Sequence, residues 1–322
     1  WQSWICWPYR RSRASRSNPA ASRTSSLTAS ATLARRLSGG LVPAVPVPFR
    51  GAALAVDAQA VYARWMSAQP VAGVAVWAHT GRGVHLSVDQ RRLVLEAWRT
   101  ALPDRVLVAG AASLEMAREA RAGGADALLA FPRAADPVAW HTALGAELPV
   151  IAFYLYEAAG GVAYDDATLH AILSLSGVIG IKVATLDSVM TFQRISTLMR
   201  AHPGKLLITG EDRFFGYSLM MGARCALVGM GAALCDLQVD LLRAHAAGDL
   251  ARFVRLSARV DRFAQVTFTP PMDGYVRRML WAAAADGALP PDACDDPWGP
   301  PLVAAERELV IRAVHDARAA DC

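Results

Sequence analysis

The segment Ser174-Leu-Ser-Gly-Val-Ile-Gly-Ile-Lys-Val-Ala-Thr-Leu-Asp187 carries an apolar, β-branched run, Val178-Ile179-Gly180-Ile181, that ends on a lysine. Such a run reads as a strand buried on both faces, as in parallel sheets. A buried strand has no obvious use for an ammonium at its end. Of the 33 basic residues only Lys182 and Lys205 are lysines, and every other cation is arginine. Arginine stays charged in any setting, whereas a lysine desolvated by apolar neighbours can lose its proton, and the neutral amine attacks carbonyls to give a Schiff base. Position alone leaves two readings open: a nucleophile, or a stem lying along the core whose ammonium meets a carboxylate.

Outward from Lys182 the chain alternates strand and helix patterns. Leu41 to Val47 reads as a first strand, kept short by Pro43, Pro46 and Pro48. Gly73–Trp77, Arg105–Ala109, Ala127–Ala130 and Val150–Tyr154 follow, then Val178–Lys182, Lys205–Thr209 and Cys225–Val228. A helix pattern follows each of these strands. The helix after the second strand opens on a capping box, Ser87 with Gln90. Eight such units predict a closed (β/α)8 TIM barrel, with Lys182 at the C-terminal end of strand six, the rim on which catalytic groups converge. Beyond Asp249 the pattern is purely helical, over Leu250–Thr267, Pro271–Ala285 and Val303–Ala319. The expected organisation is a disordered basic tail or spurious extension over residues 1–37 and a barrel over 38–249. Residues 250–322 then form a helical segment packed on the barrel or at an oligomer interface.

Charge narrows the function classes. Residues 1–50 hold eight of the 33 basic residues and no acid, so the remaining chain sets 25 basic groups against 28 acidic ones. A nucleic-acid-binding body would concentrate positive charge on the fold, and this one does not. Arg-rich, Ser-rich and acid-poor also describes a transit peptide, but the expectation here is a cytoplasmic enzyme. No apolar stretch of 18 residues lacks a charge or a cluster of turn residues, so no membrane span is predicted. Five scattered cysteines form neither a C-x-x-C pair nor a ligand set with histidine, and no metal and no cofactor is expected.

Val178 to Asp187 resembles the G-I-K-x-A-T-x-D segment of the dihydrodipicolinate synthase and N-acetylneuraminate lyase family of Schiff-base barrel enzymes. Three further segments follow the family's order. Val74-Ala-Val-Trp-Ala-His-Thr-Gly-Arg82 is similar to its G-[TS]-T-G-E loop, Gly124-Ala-Asp126 to its G-A-D, and Leu207-Ile-Thr-Gly-Glu-Asp212 to its S-G-D-D. The resemblance implies catalysis by Lys182 with a tyrosine 28 residues before it, which is Tyr154. It also implies Thr80 on the substrate carboxylate, with Gly210 and the carbonyl of Leu227 lining the pocket.

The chain departs from that pattern at several positions. His79 replaces a hydroxyl residue and Arg82 replaces the glutamate; His79 is a candidate proton carrier and Arg82 a candidate contact for an anionic substrate group. The family's P-Y-Y-N appears as Phe131-Pro-Arg-Ala134, and Ala159 stands where lysine-biosynthetic members keep an arginine. The expected function is therefore a class I (Schiff-base) lyase or aldolase acting on pyruvate or a related 2-oxo acid, with an aldehyde as co-substrate or product, other than dihydrodipicolinate synthase proper. A homodimer or homotetramer is expected. A sugar-acid dehydratase and a non-catalytic acid-binding barrel remain the alternatives.

Overall fold

A computed structural model describes residues 30–319 of the chain. Eight parallel strands, β1 (Leu41–Pro43), β2 (Gly73–Val76), β3 (Val106–Ala111), β4 (Ala127–Ala130), β5 (Val150–Leu155), β6 (Val178–Ala184), β7 (Leu206–Thr209) and β8 (Cys225–Val228), are hydrogen-bonded in sequence order, with β8 returning to β1. The joint between β1 and β2 is the narrowest. Pro43 and Pro46 offer no N–H there, and the ring is held by the bridge of Ala44 to Ala75 and by hydrogen bonds from Ala72 N to Leu41 O (2.9 Å) and Val45 N to Ala75 O (3.1 Å).

Eight helices separate and follow the strands: α1 (Val56–Ser67), α2 (Val88–Ala101), α3 (Leu114–Ala122), α4 (Pro137–Gly145), α5 (Asp166–Ser174), α6 (Val189–Met199), α7 (Phe215–Met220) and α8 (Cys235–Ala247). The capping box of α2 is present: Ser87 Oγ accepts from Gln90 N at 3.2 Å, and Gln90 Oε1 accepts from Ser87 N at 2.9 Å. The period-2 rule for strands divides the core in two. Val42, Val108, Leu129, Ile151, Leu206 and Leu227 fill the barrel, while Val74, Leu107, Leu128 and Val183 face the helices.

The C-terminal segment adds α9 (Leu250–Thr267), α10 (Tyr275–Ala285) and α11 (Ala304–Ala319). The fully buried Arg278 fixes the α9–α10 loop. Its guanidinium donates to the carbonyls of Thr269 (2.6 Å), Pro270 (3.3 Å) and Pro271 (3.3 Å) and to Glu306 Oε2. The first residue of α10, Tyr275, is thereby held over the C-terminal end of the barrel.

The tail expectation changes at its end. Residues 1–29 lie outside the described residues, but residues 30–37 form a helix. Its Leu33 and Leu37, at i and i+4, are buried in the barrel's inner cluster with Val106, Leu206 and Cys225, at the N-terminal ends of their strands. These eight residues close the floor of the barrel. Leu37→Ala should therefore lower stability by about 2 to 4 kcal/mol through the cavity it leaves; urea unfolding followed by circular dichroism checks this, and an unchanged midpoint would mean the helix is not docked.

Candidate active site

Lys182 points into the barrel from β6, opposite Phe153 of β5 and Ile208 of β7, with Ala184 the next inward residue. Its amine stands 4.2 Å from the centre of the Phe153 ring, and among the described residues no acceptor lies within hydrogen-bond distance of it. Burial lowers its pKa well below the ordinary lysine value, against the opposing pull of Asp212 and Glu211. Lys205 is the contrast. It sits at the other end of the barrel, where Nζ donates to the carbonyls of Leu175 (2.9 Å) and Val178 (2.5 Å). The one lysine is spent on backbone; the other is not.

Gly210 makes room for the Lys182 stem. A Cβ there would stand 2.6 Å from Lys182 Cε and 2.9 Å from Val183 O. The two acids that follow have separate tasks. Glu211 accepts from Thr185 N (2.6 Å), Thr185 Oγ1 (3.0 Å) and Leu186 N (3.1 Å), and so clamps the loop after β6, where Leu186 is held at a φ of 69°. Asp212 accepts from Met230 N at 2.7 Å and anchors the turn after β8. Burial raises both carboxyls above their usual range, Glu211 to about 8.

The cleft around Lys182 is also lined by His79, Thr80, Tyr156, Gly229, Phe268 and Tyr275. Tyr275 brings three elements together: its hydroxyl is 2.9 Å from His79 Nδ1 and 3.0 Å from Thr80 Oγ1, and its ring stacks on Phe268 with centroids 4.9 Å apart. Desolvation and the neighbouring Arg82 cation lower the His79 pKa to about 4, so the imidazole rests neutral. The Tyr156 hydroxyl has no hydrogen-bond partner among the described residues, and burial pushes its pKa up to about 12.

Lys182, His79, Thr80 and Gly210 thus meet in one cleft, while three other expected residues do not. Tyr154 faces away from it: on β5 the inward residues are Ile151, Phe153 and Leu155, and Tyr154 turns toward the helix layer, where its hydroxyl accepts from Arg194 Nη2 at 3.4 Å. Tyr156, two residues on, is the tyrosine of this strand that reaches the cleft. Leu227 is fully buried inside the barrel, and Gly229 takes its place in the wall. Arg82 is a clasp outside the lining of the cleft, with all three of its nitrogens engaged: Nε and Nη2 pair with Asp296 at 3.1 and 2.6 Å, and Nη1 with Asp273 Oδ1 at 2.8 Å. Tyr275 carried no sequence signal, since it lies 93 residues beyond Lys182 in a purely helical stretch. The parity of β5, counted from Phe153, points to Tyr156.

A desolvated lysine without a partner, at the C-terminal mouth of an eight-stranded barrel and flanked by acids and hydroxyls, defines a class I lyase or aldolase. The dihydrodipicolinate synthetase family model matches residues 37–313, and the chain belongs to that family. Among relatives, a 4-hydroxy-tetrahydrodipicolinate synthase of Ruegeria pomeroyi is 28% identical over 72% of this chain and 84% of its own. A probable 2-dehydro-3-deoxy-D-pentonate aldolase of Escherichia coli is 25% identical over 69% and 79%. The fold is shared with the sialic acid aldolase of Ruminococcus gnavus, at a TM-score of 0.77 and 18% identity over 88% of this chain and 98% of that one. A prophage protein of the dihydrodipicolinic acid synthase family from Escherichia coli, solved with pyruvate, superposes with a TM-score of 0.77 and 20% identity, covering 87% and 98%. Among the described residues no helix is long and apolar enough to cross a membrane, and no group of three or more His, Cys, Asp or Glu could hold a metal ion.

The Arg82 clasp gives a stability test. Arg82→Met would strand Asp296, which is only 2% exposed, and unpairing a buried carboxylate costs about 3 to 5 kcal/mol. Chemical denaturation should show a loss of that order; a loss under about 1 kcal/mol, typical of a surface pair, would show that the clasp is solvated.

Proposed function

We propose that Lys182 condenses with the keto group of pyruvate or a related 2-oxo acid, and that the enamine derived from the imine makes or breaks a carbon-carbon bond with an aldehyde. The observation that carries this is the buried, unpartnered Lys182 amine above Phe153. Its lowered pKa means that the neutral amine is available at lower pH than for an ordinary lysine. The carboxylate of the substrate fits the turn after β2. The amides of Thr80 and Gly81 have no acceptor in the described protein although both residues are buried, and such donors call for a partner. Thr80 Oγ1 stands beside these amides and is engaged with Tyr275 Oη at 3.0 Å.

The absence of an arginine at Ala159 argues against a second substrate that resembles the one used in lysine biosynthesis. A cation does stand at the rim: Arg213 lines the cleft, tied by Nη1 to Phe268 O at 3.0 Å, and it suits an acceptor with an anionic or hydroxyl-rich end. A homo-oligomeric, cytoplasmic enzyme completes the reading. Exposed Leu250 and Val254 on α9 and Leu309 on α11 supply apolar surface for a second copy.

Incubation with pyruvate and borohydride should add one reduced adduct, at Lys182 and not at Lys205, and Lys182→Ala should abolish it. Because only the neutral amine attacks, the trapping rate should rise with pH and level off below about 10.4, where an unperturbed lysine would still be climbing. Intact-protein and peptide mass spectrometry read both. A wild-type protein left unlabelled by a range of 2-oxo acids would favour the non-catalytic binding barrel.

A further inference from the structure

We propose that Tyr275, delivered by the C-terminal helical segment, is the catalytic proton carrier of the site, at the centre of a path that runs from Thr80 through Tyr275 and His79 to solvent beside Asp273. The proposal rests on the reading of Lys182 as the imine-forming residue and assigns the proton transfers that this chemistry needs.

The path is continuous at its inner end. Thr80 Oγ1 and Tyr275 Oη are 3.0 Å apart, and Tyr275 Oη and His79 Nδ1 2.9 Å apart, all of them lining the cleft that holds Lys182. At its outer end His79 Nε2 faces Asp273 Oδ1 at 4.0 Å, and the Asp273 side chain is 48% exposed. The inner groups are buried and the last is wet, which is the order a path between a closed site and bulk water requires. A neutral imidazole that accepts the Tyr275 proton at Nδ1 must carry its own proton on Nε2, the nitrogen that looks toward Asp273. Burial keeps His79 neutral at rest.

The transfers balance. When C3 of the protonated imine loses a proton to Thr80 Oγ1, the C–H bonding pair becomes the enamine double bond and the C=N π pair moves onto the Lys182 nitrogen. Thr80 passes its own hydroxyl proton to the Tyr275 oxygen, and Tyr275 passes its own to His79 Nδ1. The imidazolium so formed releases the Nε2 proton to water beside Asp273. Run in reverse, the same path protonates the carbinolamine hydroxyl, which leaves as water with the C–O bonding pair.

The clasp at Arg82 explains how a residue so distant in sequence is held to this tolerance. Arg82 grips Asp296 with Nε and Nη2, and Asp273 by both its carboxylate (2.8 Å) and its carbonyl (3.2 Å). Asp273 lies two residues before Tyr275. Gly229 leaves the opposite side open, since a Cβ there would stand 3.1 Å from both Thr80 Oγ1 and Tyr275 Cε2.

The test follows exchange of the pyruvate methyl protons in deuterium oxide by proton NMR, which needs no knowledge of the acceptor. Tyr275→Phe keeps the ring that stacks on Phe268, so the thermal midpoint should hold. Exchange should fall by about 10²-fold or more, while the end-point amount of borohydride adduct at Lys182 stays near the wild-type level. His79→Ala should slow exchange comparably, with partial recovery in added imidazole. If the wild type traps pyruvate and Tyr275→Phe exchanges within about threefold of it, the path through Tyr275 is wrong while the imine stands. If the wild type forms no adduct, the imine reading falls and this proposal with it.

Discussion

The site depends on the desolvation of one amine. Water would hold Lys182 protonated, and a carboxylate at contact distance would do the same. The barrel provides neither: Phe153 presents a ring face at 4.2 Å, and both neighbouring acids are turned to other work. Glu211 is occupied by the Thr185–Leu186 loop and Asp212 by the turn after β8. These carboxyls are close enough to act on Lys182 electrostatically, and burial holds their own pKa values up, so they oppose its deprotonation without preventing it. The same two residues therefore shape the rim of the mouth and leave the Lys182 amine unpaired.

Backbone geometry serves that arrangement. Among the described non-glycine residues with positive φ, Trp77, Arg82 and Leu186 all sit in loops at the C-terminal ends of strands. Each is over-determined by its surroundings: Trp77 is fully buried with Nε1 on Arg91 O, Arg82 is fixed by two acids, and Leu186 by Glu211. Strained conformations persist only under such constraint, and here the constraint lies at the C-terminal rim of the barrel. The floor is treated differently. There Leu33 and Leu37 seal the barrel with apolar contact, and Lys205 is absorbed by carbonyls.

What could be read from the sequence follows from which interactions are local. Apolar runs and turn residues report strand and helix directly, so the eight units, the Ser87 cap and the placement of Lys182 at the end of β6 were all legible. Face assignments across strands were less so. Counting 28 residues back from Lys182 reaches Tyr154, but β6 carries an extra residue near its start, where Val150 pairs with Val178 and Ile151 with Gly180. One inserted residue flips the facing set. Phe153 is what stands opposite Lys182, and the reachable tyrosine becomes Tyr156. The helix over residues 30–37 was hidden for a related reason: its apolar signal is a single i, i+4 pair of leucines inside an Arg-, Ser- and Ala-rich stretch.

Arg82 shows how a substitution in a family motif can be read correctly as a departure and wrongly as a contact. A glutamate replaced by arginine suggests a new substrate charge, yet a cation in a buried loop must first satisfy itself. Asp273 and Asp296, both from the C-terminal segment, do so, and nothing local to residue 82 announces them. The consequence is architectural. Once the loop after β2 is pinned to that segment, the segment is no longer an appendage to the barrel, because it brings Tyr275 to the two β2-loop residues, His79 and Thr80, that face the cleft. Where the family's segment has two tyrosines this chain has Pro132 and Arg133, and where its loop has a hydroxyl this chain has His79. A tyrosine from beyond the barrel now stands in hydrogen-bond contact with the residue that replaced that hydroxyl.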